Sequence, residues 1–132
     1  MLKLTYTETA TYLEHLAQTP EDFVSLRVTL AMRMGQTILA EPSSAAFLLP
    51  RNLPVLSLLE DAIQLAEAEM IALCIADEDT MEVSLGGTWV TFDPDQENGI
   101  FVTRLSDRTE YLLTKLWNQA YSSASVIGGS GD

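Results

Sequence analysis

A chain of 132 residues is long enough to bury one core without disulfides or metal clips. Its 47% hydrophobic and 20% charged residues exclude the intrinsically disordered class. Nineteen acids against seven lysines and arginines leave a formal net charge of −12, which disfavours nucleic-acid binding, and one cysteine, Cys74, excludes an internal disulfide.

The acid is concentrated in one part of the chain. Residues 1–52 hold five acids and four bases, whereas residues 53–132 hold fourteen acids and three bases. The second part is expected to repel DNA or RNA; the first is nearly neutral. Met1 leads directly into Leu-Lys-Leu-Thr-Tyr-Thr without a basic-plus-apolar leader. The longest apolar run is far shorter than the roughly twenty residues a membrane helix needs. A cytoplasmic protein that does not engage a membrane is expected.

In chain order, Leu2 to Thr7 alternates apolar and polar residues, the period of a half-buried strand. Thr11 to Gln18 fits either a helical stripe through Tyr12, Leu13 and Leu16 or a short second strand. Thr19-Pro20-Glu21-Asp22 reads as a turn. Phe23 to Met34 then alternates without a break and predicts one long strand, with Arg27, Thr29 and Arg33 on its open face. Gly35 is expected to bend the chain before a strand over Thr37 to Ala40. Glu41-Pro42-Ser43-Ser44 predicts a turn and Ala45 to Leu49 another apolar strand.

From Pro54 the period changes. Val55, Leu59, Ile63, Ala66 and Met70 recur every three or four residues and predict an amphipathic helix on the sheet. Met70 to Ala76 is a compact apolar run suited to a central strand covered on both faces, with Cys74 in its core. After a polar turn at Asp77-Glu78-Asp79-Thr80, the residues Met81, Val83 and Leu85 alternate, Gly86-Gly87 reads as a tight reversal, and Thr88 to Phe92 returns. Asp93 to Gly99 loops, and Ile100 to Arg104 gives the last strand. Ser106 or Asp107 caps a final helix, Asp107 and Glu110 have capping-box spacing, and Leu113, Leu116, Trp117, Ala120 and Tyr121 form its buried stripe. Ser122 to Asp132 is rich in serine and glycine and is expected to be a disordered tail.

The expected fold is α+β, one domain over residues 1–121. It has antiparallel sheet and two helices, in the order three or four strands, helix, three or four strands, helix. This element order resembles the Whirly fold, in the superfamily that includes the transcriptional coactivator called positive cofactor four, and the texture is similar to that of small uncharacterised cyanobacterial proteins placed there. The resemblance implies single-stranded DNA binding along the sheet and assembly through the helices. The Lys-Gly-Lys-Ala-Ala-Leu motif of Whirly proteins is absent; the nearest analogue is Arg27-Val28-Thr29-Leu30-Ala31-Met32-Arg33.

Catalytic chemistry has few candidates. His15 is the only histidine, so no histidine relay or multi-histidine metal centre can be built, and its neighbours suggest a rim position. Asp93-Pro94-Asp95-Gln96-Glu97-Asn98-Gly99 superficially resembles a calcium loop but has Asn98 and Arg104 where an EF-hand needs glycine and glutamate. No metal, no cofactor and no catalytic residue is expected. Two functions stand out. The first is a non-enzymatic regulatory or assembly module acting through protein–protein contacts, as a homo-oligomer. The second is a single-stranded nucleic-acid-binding transcriptional regulator, in which Lys3, Arg27, Thr29 and Arg33 form a basic strip on adjoining strands and Trp89 stacks bases. Net charge disfavours the second.

Overall fold

A computed structural model describes residues 1–92 and 98–125, the last four by backbone alone. Six strands and three helices follow in the order β1 (Leu2–Tyr6), β2 (Thr11–His15), α1 (Pro20–Arg33), β3 (Leu39–Pro50), α2 (Leu56–Leu65), β4 (Ile71–Ile75), β5 (Thr80–Thr91), β6 (Gly99–Thr103) and α3 (Asp107–Ser125). All six strands join one antiparallel sheet of order β2-β1-β6-β5-β3, with β4 also on β5. The fold is α+β, as expected, but with three helices rather than two.

The extra helix is the Phe23–Met34 segment, which is not a strand. Apolar residues are so dense there that period two and period 3.6 both fit, and the flanking signals decide between them. The Thr19 hydroxyl accepts the Asp22 N–H at 3.2 Å, Pro20 occupies the first turn, and Glu21 and Asp22 sit at the positive end of the helix dipole. At the other end Gly35 has a φ of +71°, and the Gln36 N–H bonds back to the Ala31 carbonyl at 2.8 Å. Together with the Gly35 N–H to the Met32 carbonyl, this is a Schellman terminus. Thr19 to Asp22 is thus a helix start rather than a free turn. Phe23 and Ala31 face inward, and Phe23 packs with Met1 and Val102 on one sheet face.

Two expected turns are also absent. β3 runs straight through Glu41 to Ser44. Its register with β5 continues into a hydrogen bond from the Arg51 N–H to the Asp79 carbonyl at 2.9 Å, so odd-numbered residues of β3 bond toward β5. Pro42 points its missing donor away from the ladder, where a strand tolerates it. Gly86-Gly87 lies inside β5, at the point where that strand exchanges β4 for β6 as its neighbour. A Cβ on Gly87 would collide with the Val102 carbonyl, and one on Gly86 with the Met70 side chain. The Thr103 hydroxyl donates to the Gly86 carbonyl at 2.7 Å and closes that junction.

β4 is paired on one side only, so the central, doubly covered position expected for it is wrong. Ile71 is buried on the core side, whereas Ala72 and Cys74 point to the opposite face and are exposed. The apolar run reflects small, tolerant residues, not burial on both faces. Of the loop expected over Asp93 to Gly99, residues 93–97 lie outside the described residues; of the tail, residues 122–125 continue α3 and residues 126–132 lie outside.

The main core fills the space between the other sheet face and helices α2 and α3. Leu2, Leu4, Leu49, Leu59, Leu113 and Leu116 are fully buried there, each contributing about 1.5–3 kcal/mol by transfer from water. At the head of α3 the charges turn inward. The Ser106 hydroxyl accepts the Thr109 N–H at 3.3 Å, while the Glu69 carboxylate accepts from the Ser106 N–H and from the Thr109 hydroxyl. Glu110 closes no capping box with Asp107. It is buried, and its carboxylate accepts the Leu105 N–H at 3.2 Å and the Met1 ammonium at 3.0 Å, with His15 Nδ1 also at 3.0 Å. A buried pair of this kind adds little net stability, but removing one partner strands the other. Glu110→Ala is expected to cost about 3–5 kcal/mol, read as a lower urea midpoint at unchanged slope.

Candidate interaction surface

The expected basic strip is not assembled, because its central segment is helical. Lys3 lies on β1 and is held by Glu14 of β2 at 2.7 Å, its Nζ 5.9 Å from the centre of the Phe23 ring. Arg27, on the sheet side of α1, lies 5.0 Å from the same ring. Thr29 is exposed on α1, its hydroxyl donating to the Ser25 carbonyl at 2.9 Å, and Arg33 is exposed in the last turn. Trp89 faces the opposite side of the sheet. It packs edge-on against Tyr6 at 5.6 Å and lies over Gly99, where no Cβ would fit. Lys3 and Arg27 therefore meet, Thr29 and Arg33 point elsewhere, and Trp89 belongs to the core side.

What the strand reading concealed is an uncovered half-sheet. α1 spans only fourteen residues, about 21 Å, and its buried residues pack over the β1–β6 side. Beyond the Ala40–Pro42 end of β3, which α1 still approaches together with Thr88, the same face of β3, β5 and β4 has no helix over it among the described residues. Its rows are Leu48, Glu82 and Cys74, then Ala46, Ser84 and Ala72, with Ser44 opposite Gly86. Leu48 is 49% exposed, Ala46, Ala72 and Cys74 are also exposed, and Glu82 is the one acid in these rows. The alternation of small residues with Leu48 was visible in the sequence, but only the register aligns them.

The outer edge of β3 is partly closed. Even-numbered positions point away from β5, and Pro42 and Pro50 occupy two of them without offering a donor. The Tyr121 hydroxyl donates to the Leu48 carbonyl, and burial pushes its phenol above the usual value, which keeps it a donor. No described residue bonds the outward groups of Ser44 and Ala46.

Beyond Pro50, a cleft of about 790 Å³ opens between the end of α3 and the β4–β5 turn, lined by Arg51, Asn52, Asp79 and Tyr121 among others. Arg51 is committed to the turn: its Nη1 donates to the carbonyls of Asp77 at 3.1 Å and Glu78 at 3.4 Å. The Asp77 carboxylate accepts the N–H groups of Asp79 at 2.8 Å and Thr80 at 2.9 Å, and these bonds hold its pKa below the usual carboxylate range. Among the described residues no group of three or more His, Cys, Asp or Glu is arranged to hold a metal, and no helix is long and apolar enough to cross a membrane.

A depressed pKa in the folded state means that Asp77 contributes stability above its unfolded value, near 3.8, and loses it as pH falls through the lower folded value. Between pH 5 and pH 3, urea midpoints of the native chain should fall further than those of Asp77→Asn, which keeps an acceptor oxygen without a charge. Equal falls would place the acid sensitivity elsewhere.

A family model described as Alr0857-like matches residues 1–121, and the chain belongs to that family. No curated protein and no solved structure matches it.

Proposed function

We propose that this Alr0857-like protein is a non-enzymatic regulatory or assembly module whose uncovered half-sheet receives a second copy of the chain. The observation that carries the reading is the bare face of β3, β5 and β4 itself. Its rows combine exposed Leu48 and Ala46 with small neutral neighbours and a single acid. In a chain of net charge −12, two copies approach most easily where each presents almost no charge. Small side chains let the two sheets lie close, about 10 Å apart, and a two-fold axis makes the same patch complementary to itself.

The side chains best suited to acid–base chemistry are occupied by the architecture. Glu69 and Glu110 bind backbone N–H groups at the head of α3, and His15 sits against Glu110. This supports a binding role over a catalytic one. Single-stranded nucleic acid, which the Whirly-like resemblance implies, needs cations beside stacking aromatics on one open face. Lys3 is neutralised by Glu14 and Trp89 lies on the other face, so the arrangement favours protein over nucleic acid. Whirly proteins assemble through helices; here strands are the uncovered element.

The expected outcome is a dimer or higher oligomer in sedimentation equilibrium. Ala46→Glu, at an exposed site with little effect on folding, should weaken association at least about tenfold by placing like charges across the interface. Ala72→Glu should act the same way. A native chain that sediments as a monomer at every concentration, or an association that ignores both substitutions, overturns the reading.

A further inference from the structure

A second concave surface lies on the half of the sheet that α1 does cover. A cleft of about 330 Å³ opens between α1, the Ile38 segment and the ends of β1, β5 and β6, within the size range of small-molecule sites. Ile38, Val90, Phe92 and Ile100 supply apolar walls, and Phe92 is exposed at the rim. Arg27 and Thr5 supply polar groups to the lining.

Arg27 stands out because of where it sits. Phe23, Arg27 and Ala31 are spaced four residues apart, so the guanidinium occupies the middle of the stripe that α1 turns toward the sheet. A half-buried cation in that position calls for a counter-charge. Lys3, beside the same ring, has one in Glu14, whereas no described carboxylate pairs with Arg27. Stacking on Phe23 at 5.0 Å compensates part of the lost hydration, but it gives the N–H donors no acceptor among the described residues. The Thr5 hydroxyl, on the neighbouring strand and half-buried, likewise has no partner among the described residues.

We infer that this cleft binds a small organic carboxylate with an apolar body. The carboxylate takes the Arg27 fork and the Thr5 hydroxyl, and the hydrocarbon part lies against Ile38, Val90, Phe92 and Ile100. A planar guanidinium matches a carboxylate through two parallel N–H bonds, which a neutral amide cannot reproduce. A volume of about 330 Å³ suits a single ring or short chain.

The test is a titration of isotope-labelled protein with sodium benzoate, followed by amide chemical shifts, beside the same titration with neutral benzamide. Benzoate should move the signals of Thr5, Ile38, Phe92 and Ile100 and bind at least about tenfold tighter than benzamide. Arg27→Gln should abolish that preference while the circular dichroism spectrum and melting temperature stay near those of the native chain. If benzoate at millimolar concentration moves none of these signals, moves only signals outside the cleft, or binds no better than benzamide, the assignment is wrong. The benzamide comparison needs no variant, so it decides the matter even if Arg27→Gln disturbs the fold.

Discussion

β5 is the strand on which the rest of the architecture hangs. Its twelve residues bond β3 along one whole edge, while the other edge is divided between β4 and β6. An antiparallel strand can serve two partners end to end on one edge only if it is long. Gly86 and Gly87 stand where the partners exchange, and a side chain there would strike Met70 or Val102. One consequence is that the sheet has two unequal wings. The β6–β1–β2 wing and the Ala40–Pro42 end of β3 receive α1, whereas the rest of β3 and β4 do not, among the described residues. Both surfaces discussed here, one covered and one bare, follow from that division.

The core side is organised differently, by carboxylates that face inward. Glu69 and Glu110 come from different parts of the chain and converge on the N-terminal turn of α3, where free backbone donors and the helix dipole favour negative charge. Glu110 also draws the Met1 ammonium and His15 to the same point, which fixes the start of β1 and the end of β2 against α3. Two of the chain's many acids thus join elements, and the remaining acids among the described residues lie mainly on solvated faces.

Local signals were read well wherever one period dominated. The first strand, the helix beginning near Leu56, the turn at Asp77 and the stripe Leu113, Leu116, Trp117 were all legible, because propensity and burial agree there. The failures have a common origin. Proline at 42 and glycine at 86 and 87 are breakers only in isolation; on an edge strand, or at a partner exchange, the sheet absorbs them. Phe23 to Met34 alternates perfectly, yet capping by Thr19 and the left-handed Gly35 outweigh the alternation. Because that one segment is helical, the expected site residues are scattered. Lys3 and Arg27 do approach one ring, but as strand and helix rather than as two strands. The bare half-sheet depends on register between residues some forty apart, which no local pattern encodes.

Charge reconciles the two surfaces with the acidity of the chain. At physiological ionic strength fields are screened over about 8 Å, so those acids of the second half that lie farther away than this bear weakly on the cleft. The local balance then matters: Lys3, beside the same Phe23 ring, is paired with Glu14, and Arg27 lines the cleft with its apolar walls. A small anion entering the cleft meets that one cation at short range, where the effective dielectric is low and attraction strong. A nucleic acid strand must instead lie along many residues and meets the net charge of −12 over its whole length. The same arithmetic leaves a nearly neutral sheet face as the easiest meeting place for two copies of an acidic chain. Under the proposed assignments, size and charge together would sort the partners, a small carboxylate to the covered wing and a second subunit to the bare one.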